Sequence, residues 1–307
     1  WEGDTLPGAD DVAIVDWNRG AFTKAFTLLS DLAVKGLRFD NNGDDKSLTG
    51  IGTLTIGGEG LTESGSMLID APLAAAADQT WTTGNLQIKR GLKMGHAITL
   101  KANVLDMIDT ASDDAFDVST GTTLTATGSF FEMNGKTVRV TGGTLVVNNQ
   151  LLLAPSSGVY SGCEKRSTLE VSAGSVTTKY LFAGVNSQNA PDAIQGVQHT
   201  GGSVSANQVV VGGGNCGQPF ATYGEYVVNG ADAVLDVSSA DESYDYGISL
   251  AGNISGSANT KGPFSGAFIQ KFGTTKASRV QFGLNYQSFP HWGKSDAGAQ
   301  GYGYGYW

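Results

Sequence analysis

The chain has 307 residues, including 44 glycines and 7 prolines, and a formal net charge of −10. This acidic balance excludes nucleic acid and anionic membrane surfaces as partners, because the chain cannot neutralise a run of phosphates or acidic headgroups. No apolar run approaches the ~18 residues that cross a bilayer, so no membrane span is expected. Hydrophobic residues make up 40% of the chain and occur in short bursts, which predicts many short strands joined by glycine turns.

The N-terminal part, residues 1–46, is predicted to be the entry or cap of the fold. Residues 22–36 fit either an amphipathic helix or strands. The alternation of Leu32, Val34, Leu37 and Phe39 around Gly36 favours strands, because alternate side chains of a strand share one face.

A repeat is visible between residues 141 and 289. Each of five segments has a turn of small residues, a β-branched stretch, an apolar-x-apolar motif and then Gly and Asn. The apolar anchors of the five segments are Leu153, Phe182, Val211, Leu250 and Phe282. Two residues earlier stand Leu151, Tyr180, Val209, Ile248 and Val280. Both sets are expected to point into the core and to stack at about 4.8 Å per coil.

Three strands per repeat predict an all-β fold, a parallel β-helix or solenoid of roughly nine or ten coils of about 30 residues. The repeats are assigned to residues 47–290 and a Gly/Tyr-rich tail to residues 291–307. Helical repeats are excluded, because Gly and β-branched residues occupy the positions where Ala and Leu should recur.

Several segments resemble bacterial autotransporter-passenger-type proteins, namely residues 7–17, 32–43, 52–61 and 69–84. Residues 199–213 and 267–285 resemble Gly-rich surface repeats of the same broad group. The resemblance implies a right-handed, single-chain parallel β-helix that is secreted and lies at the bacterial cell surface. The group includes adhesins and scaffolds, so the resemblance does not fix an activity.

The sequence does not predict an enzyme. A glycoside hydrolase needs paired carboxylates held at a set separation. The Asp doublets at 10–11, 44–45 and 113–114 provide carboxylates, but the sequence does not indicate such a separation. The segment most similar to a Gly-His-Gly motif is Gly95-His96-Ala97, in which alanine replaces the second glycine, so the motif is not present. His96, His199 and His291 are interpreted as surface or corner residues, and a polysaccharide lyase or hydrolase is the least favoured function.

One loop carries a candidate metal site. Asp40, Asn42 and Asp44 have the alternating oxygen-ligand spacing that Ca²⁺ favours. A polar turn explains the same residues without an ion. Ca²⁺ is the only cofactor that the sequence suggests.

The two cysteines, Cys163 and Cys216, show no metal-binding spacing. A disulfide between them is predicted, because an exported protein seldom keeps two free thiols.

The aromatic termini are candidates for self-association, through Trp1, Tyr302, Tyr304, Tyr306 and Trp307. As a strand, the tail would place its three tyrosines on one face. It would then either fold back on its own chain or dock on a second copy.

The favoured function is a structural, non-catalytic extracellular protein that polymerises into a surface fibre or sheath. Its partner would then be a further copy of the same chain. The alternative is an adhesin or glycan-binding protein that acts through exposed aromatics such as Trp17, Trp81 and Trp292.

Overall fold

The computed structural model describes residues 6–16, 25–40, 46–108, 116–153, 167–184, 195–212, 222–238, 247–250, 264–282 and 303–306. Within these ranges the chain is all-β. The strands are β1 (Val12–Asp16), β2 (Ala25–Leu28), β3 (Leu32–Asp40), β4 (Lys46–Gly50), β5 (Leu54–Thr62), β6 (Ser66–Asp70), β7 (Leu73–Ala75), β8 (Gln79–Ile88), β9 (Leu92–Lys93), β10 (Ile98–Ile108), β11 (Phe116–Val118), β12 (Thr123–Ala126), β13 (Phe130–Asn134), β14 (Thr137–Leu153), β15 (Thr168–Ala183), β16 (Gln195–His199), β17 (Ser203–Val211), β18 (Thr222–Val228), β19 (Val234–Val237), β20 (Ile248–Leu250), β21 (Phe264–Gln270), β22 (Thr274–Ala277), β23 (Val280–Phe282) and β24 (Gly303–Tyr306).

All described strand pairs are parallel and form three ladders. Ladder A contains residues 12–16, 36–40, 60–62, 79–83, 98–102, 123–126, 144–147, 175–178, 203–206, 234–237 and 274–277. Ladder B contains residues 25–28, 46–50, 66–70, 85–88, 104–108, 130–134, 150–153, 180–183, 208–211, 248–250 and 280–282. Ladder C contains residues 32–34, 54–56, 73–75, 92–93, 116–118, 137–140, 168–171, 195–199, 222–228, 264–270 and 303–306.

The predicted fold, a right-handed β-helix solenoid with nine or ten coils of about 30 residues, is wrong as stated. The finding that overturns it is the spacing of paired residues along the chain. Gln79 pairs with Ile98, whereas Thr222 pairs with Phe264, so the length of chain between paired residues more than doubles. One strand from each of the three ladders makes up one level of the structure. The three lists above give eleven levels instead of nine or ten. The described chain is therefore a closed, all-parallel β-structure without a fixed period.

One continuous apolar core fills the space between the ladders. Along β8 the buried and exposed residues alternate, since successive side chains of a strand point to opposite faces. In ladder A, Leu61, Trp81 and Leu100 follow one another at one register position, and all three are buried. Each level thus covers the apolar side chains of the level before it.

The strand interpretation of residues 22–36 is confirmed for the part that is described. Residues 25–28 form β2, and β3 begins at Leu32. Val34, Leu37 and Phe39 are buried, as the alternation predicts.

The predicted burial of the anchors in the core is confirmed for Leu153, Val211 and Leu250. The side chain of Phe282 lies outside the described residues. The predicted register is wrong at the Phe182 repeat. Leu153 pairs with Ala183, which pairs with Val211. Phe182 pairs instead with Leu152 and Val210, and these three form a small cluster separate from the main core. A shift by one residue moves a side chain to the opposite face of a strand, so Phe182 and Tyr180 lie on the outer face of ladder B.

Glycine is required at the corners where successive levels approach closely. Gly174 and Gly202 have φ values of +79° and +70°, in the left-handed region that glycine tolerates best. A Cβ on Gly174 would collide with the carbonyl of Gly143, and one on Gly202 with the carbonyl of Gly174. The small-residue turns of the sequence repeat are therefore a condition for stacking.

Candidate functional site at the open end of the ladders

The first level of the ladders opens into an apolar cavity. Among the described residues, β1 and β2 each pair along one edge only, with β3 and β4. The cavity has a volume of about 350 Å³. Its apolar lining includes Ala13, Val15, Phe26, Leu28, Leu32, Val34, Leu37, Phe39, Leu48 and Leu54. These residues are the beginning of the core, which at this end has no described level above it.

The rim of this cavity exposes large apolar side chains. Leu29 is 77% exposed and Leu6 is 64% exposed, and both line the opening. Val12 and Ile14 are also exposed, on the outward side of β1. Exposed apolar side chains around the mouth of an apolar cavity are a feature of interaction sites on soluble proteins.

A buried ion pair lies between the second and third levels. Lys46 Nζ lies 2.7 Å from Glu63 Oε1, with the two side chains 3% and 0% exposed. Glu63 Oε1 also accepts a hydrogen bond from the Gly65 amide, at 2.8 Å. Within the described residues, Glu63 Oε2 is buried without a hydrogen-bond partner. The pair fixes the corner between ladders A and B from the inside.

A buried histidine and tyrosine form a second internal polar pair. His199 Nε2 lies 3.1 Å from the Gly202 carbonyl oxygen, and the Tyr226 hydroxyl lies 3.2 Å from His199 Nδ1. A carbonyl can only accept, so Nε2 carries the proton and Nδ1 accepts from the hydroxyl. Burial lowers the pKa of His199, against the opposing effect of the Gly202 and Gly201 carbonyls. Burial also raises the pKa of Tyr226 above its ordinary range.

His199 is therefore not a surface residue, although it does stand at a corner, as the last residue of β16 before the turn at 200–202. Both His199 and Tyr226 have no exposed surface, and the Tyr226 ring stacks on Phe268 with 5.5 Å between ring centroids. Both groups are neutral near pH 7, and their hydrogen bonds satisfy polar atoms inside the core, so the pair stabilises the core.

The lowered pKa of His199 predicts a loss of stability in mild acid. The unfolded chain takes up a proton below the ordinary histidine pKa of about 6.5, whereas the folded chain resists it. The free energy of unfolding should thus be highest above that pKa and fall as the pH drops from 8 towards 5. Urea denaturation across this range, on the native chain and on His199→Gln, measures the effect. His96→Gln, at a side chain that is 42% exposed, is the comparison variant and shows whether removing any histidine has the same effect. An unchanged slope in His199→Gln would contradict this assignment.

The structure covers the predicted Ca²⁺ site in part. Asp40 accepts two hydrogen bonds from Arg38, at 2.8 and 2.9 Å. The hydrogen bond from Arg38 lowers the pKa of Asp40. Asn42 and Asp44 lie outside the described residues. Within the described part of the chain, no group of three His, Cys, Asp or Glu side chains could hold a metal ion.

The other predicted site residues fall largely outside the described ranges. These are Cys163 and Cys216 of the predicted disulfide, and Trp1, Tyr302 and Trp307 of the self-association set. Tyr304 and Tyr306 belong to β24, which pairs with β21 of the same chain. One edge of β24 is thus paired with another strand of the same chain.

Of the three tryptophans predicted to bind glycans, only Trp81 lies within the described residues. Trp81 is fully buried, so its expected exposure is wrong. Its indole Nε1 donates to Gln79 Oε1 at 2.7 Å. Trp17 and Trp292 lie outside the described residues.

Comparison of the chain with protein-family models, with curated proteins and with solved structures gives no match. None of the described residues forms a helix with the length and apolarity needed to cross a membrane. The resemblance to autotransporter passengers stays a prediction.

Proposed function

We propose that this chain is a structural, non-catalytic extracellular protein whose copies associate end to end into a fibre or sheath. The observation that supports this most is the open first level, where an apolar cavity with exposed leucines adjoins strands that pair on one edge. Unpaired parallel edges are ready to accept strands of another chain. An end-to-end contact uses different surfaces on the two partners and does not close, so it propagates as a filament.

The far end of the ladders supports the same proposal. Within the described residues, β22, β23 and β24 pair only with the level before them, through β19, β20 and β21. Both ends of the described ladders therefore present parallel strand edges. The extracellular location rests on the autotransporter-passenger resemblance and on the low charge of the sequence.

Polymerisation is the direct test. The purified chain should form filaments in electron microscopy, and its sedimentation coefficient should rise with concentration. Leu29→Asp should suppress both, because it places a charge on the apolar rim of the cavity. The matched control is Thr82→Asp, at an exposed position on ladder A away from both ends. A native chain that stays monomeric at high concentration would refute the proposal.

A glycan-binding function is the second candidate, and one surface favours it. The outer face of ladder A carries hydroxyl side chains at one register position, at Thr80, Thr99, Thr125, Thr177 and Ser205, interrupted by Val146. Uncharged hydroxyl rows of this kind suit a neutral polysaccharide. A monomeric chain that co-sediments with an insoluble polysaccharide would favour this candidate over polymerisation.

A further inference from the structure

We infer that the last level of one copy docks on the first level of the next with ladders A and B in register. This inference rests on the proposed function and specifies its interface. The occupant of the open apolar end is thus a second copy of this chain, presenting β22 and β23.

The first argument is the register of ladder A. Following its pairs from level to level, one position runs from Ala13 through Leu37, Leu61 and Trp81 to Ala277. A second copy stacked one strand spacing away, about 4.8 Å, would therefore place Ala277 opposite Ala13. All described pairs are parallel, so β22 of one copy has the direction that β1 of the next requires.

The second argument is the register of ladder B. One position runs from Phe26 through Leu48 and Ile69 to Leu250 and Phe282. Phe26 lines the open cavity. In-register stacking would thus bring the Phe282 position over the Phe26 position, at the part of the cavity that a second copy must fill.

The third argument is charge complementarity. Lys276 lies on the outward side of β22, where its ammonium is 3.9 Å from Asp236 of the preceding level. The same register sets Lys276 against Val12. The exposed Asp10 lies two residues before Val12, in the turn that leads into β1. The junction would then bring the Lys276 ammonium close to the Asp10 carboxylate of the next copy, with opposite charges across the junction.

A charge-swap experiment tests this register. Lys276→Glu alone and Asp10→Lys alone should each raise the concentration for half-maximal assembly by about tenfold, because each sets like charges together. The double variant restores opposite charges and should return assembly to within about threefold of the native value. Sedimentation velocity at low salt measures all three. Lys101→Glu, an exposed change on ladder A away from both ends, is the matched control and should assemble like the native chain.

The outcomes separate the interface from the function. Filaments whose assembly is insensitive to both single changes, or that the double variant fails to restore, would overturn the register while leaving end-to-end assembly standing. A native chain that forms no polymer would overturn both. Weakening in each single variant and recovery in the double variant would establish the junction.

Discussion

Replacing Glu63 by Ala is expected to lower the free energy of unfolding by about 3–5 kcal/mol, because it removes the carboxylate that faces a buried ammonium. Lys46 is 3% exposed in its side chain and lies 2.7 Å from Glu63 Oε1. Water cannot readily replace the lost carboxylate at such a site. The Gly65 amide would lose its acceptor at the same time.

The double variant Lys46→Met/Glu63→Leu is the decisive control. Replacing a buried ion pair by apolar residues of similar volume is often neutral or stabilising, by about 1–4 kcal/mol. The buried Glu63 Oε2 has no partner among the described residues, so this pair is incompletely satisfied and apolar replacement is favoured further. Chemical denaturation should find the double variant more stable than Glu63→Ala. A Glu63→Ala variant as stable as the native chain would show that the pair is solvated.

The sequence predicts the strand character of this chain well, because its apolar residues alternate where one face is buried. Leu37 and Phe39 are separated by the exposed Arg38, and this contrast gives an unambiguous period of two. The same contrast decides between strand and helix for the residues around β2 and β3. Corner glycines such as Gly174 and Gly202 are likewise recognisable from the repeated small-residue turns.

The register was predicted less well where apolar residues are continuous. Residues 151–153, 180–183 and 209–211 read LLL, YLFA and VVV, so alternation does not say which of them face inward. Aligning Phe182 with Leu153 is then as reasonable as aligning it with Leu152. The ladder pairs select the second alignment.

The fixed coil length failed for a different reason. The anchors that suggest a regular period occur only where the repeat is visible, between residues 141 and 289. In the N-terminal half, paired residues such as Gln79 and Ile98 lie much closer together along the chain. Ladder pairing constrains the strands, whereas the connections between them run over the surface and tolerate different lengths. A period taken from one half therefore does not transfer to the other.

The internal polar pairs could not be predicted from spacing. Lys46 and Glu63 belong to different levels of the ladders, and charged residues are usually solvated. His199 meets Tyr226 from the next level of ladder C. Only the ladder register brings these partners together. The apolar cavity at the open end was likewise not predicted, because it depends on which side chains lie beside the strands that lack a neighbour.

Trp81 is the residue whose loss should cost the core most. It is the largest fully buried side chain of the described residues and packs between Leu61 and Leu100 of the adjacent levels. Trp81→Ala should lower the free energy of unfolding by about 3–5 kcal/mol through the cavity it leaves. The orphaned Gln79 carbonyl should add about 1–3 kcal/mol.

Trp81→Phe separates these two contributions, since it keeps an aromatic ring but removes the indole N–H. The Gln79 amide donates to the carbonyls of Ile56 and Ala77, at 3.0 and 3.1 Å, so its own oxygen depends on Trp81 for a donor. Chemical denaturation should place Trp81→Phe between Trp81→Ala and the native chain. Thr82→Ala, at the exposed neighbouring position, should change stability by less than about 0.5 kcal/mol. If Trp81→Ala were as mild as this surface change, Trp81 would not be packed between Leu61 and Leu100, and the register of ladder A would have to be revised.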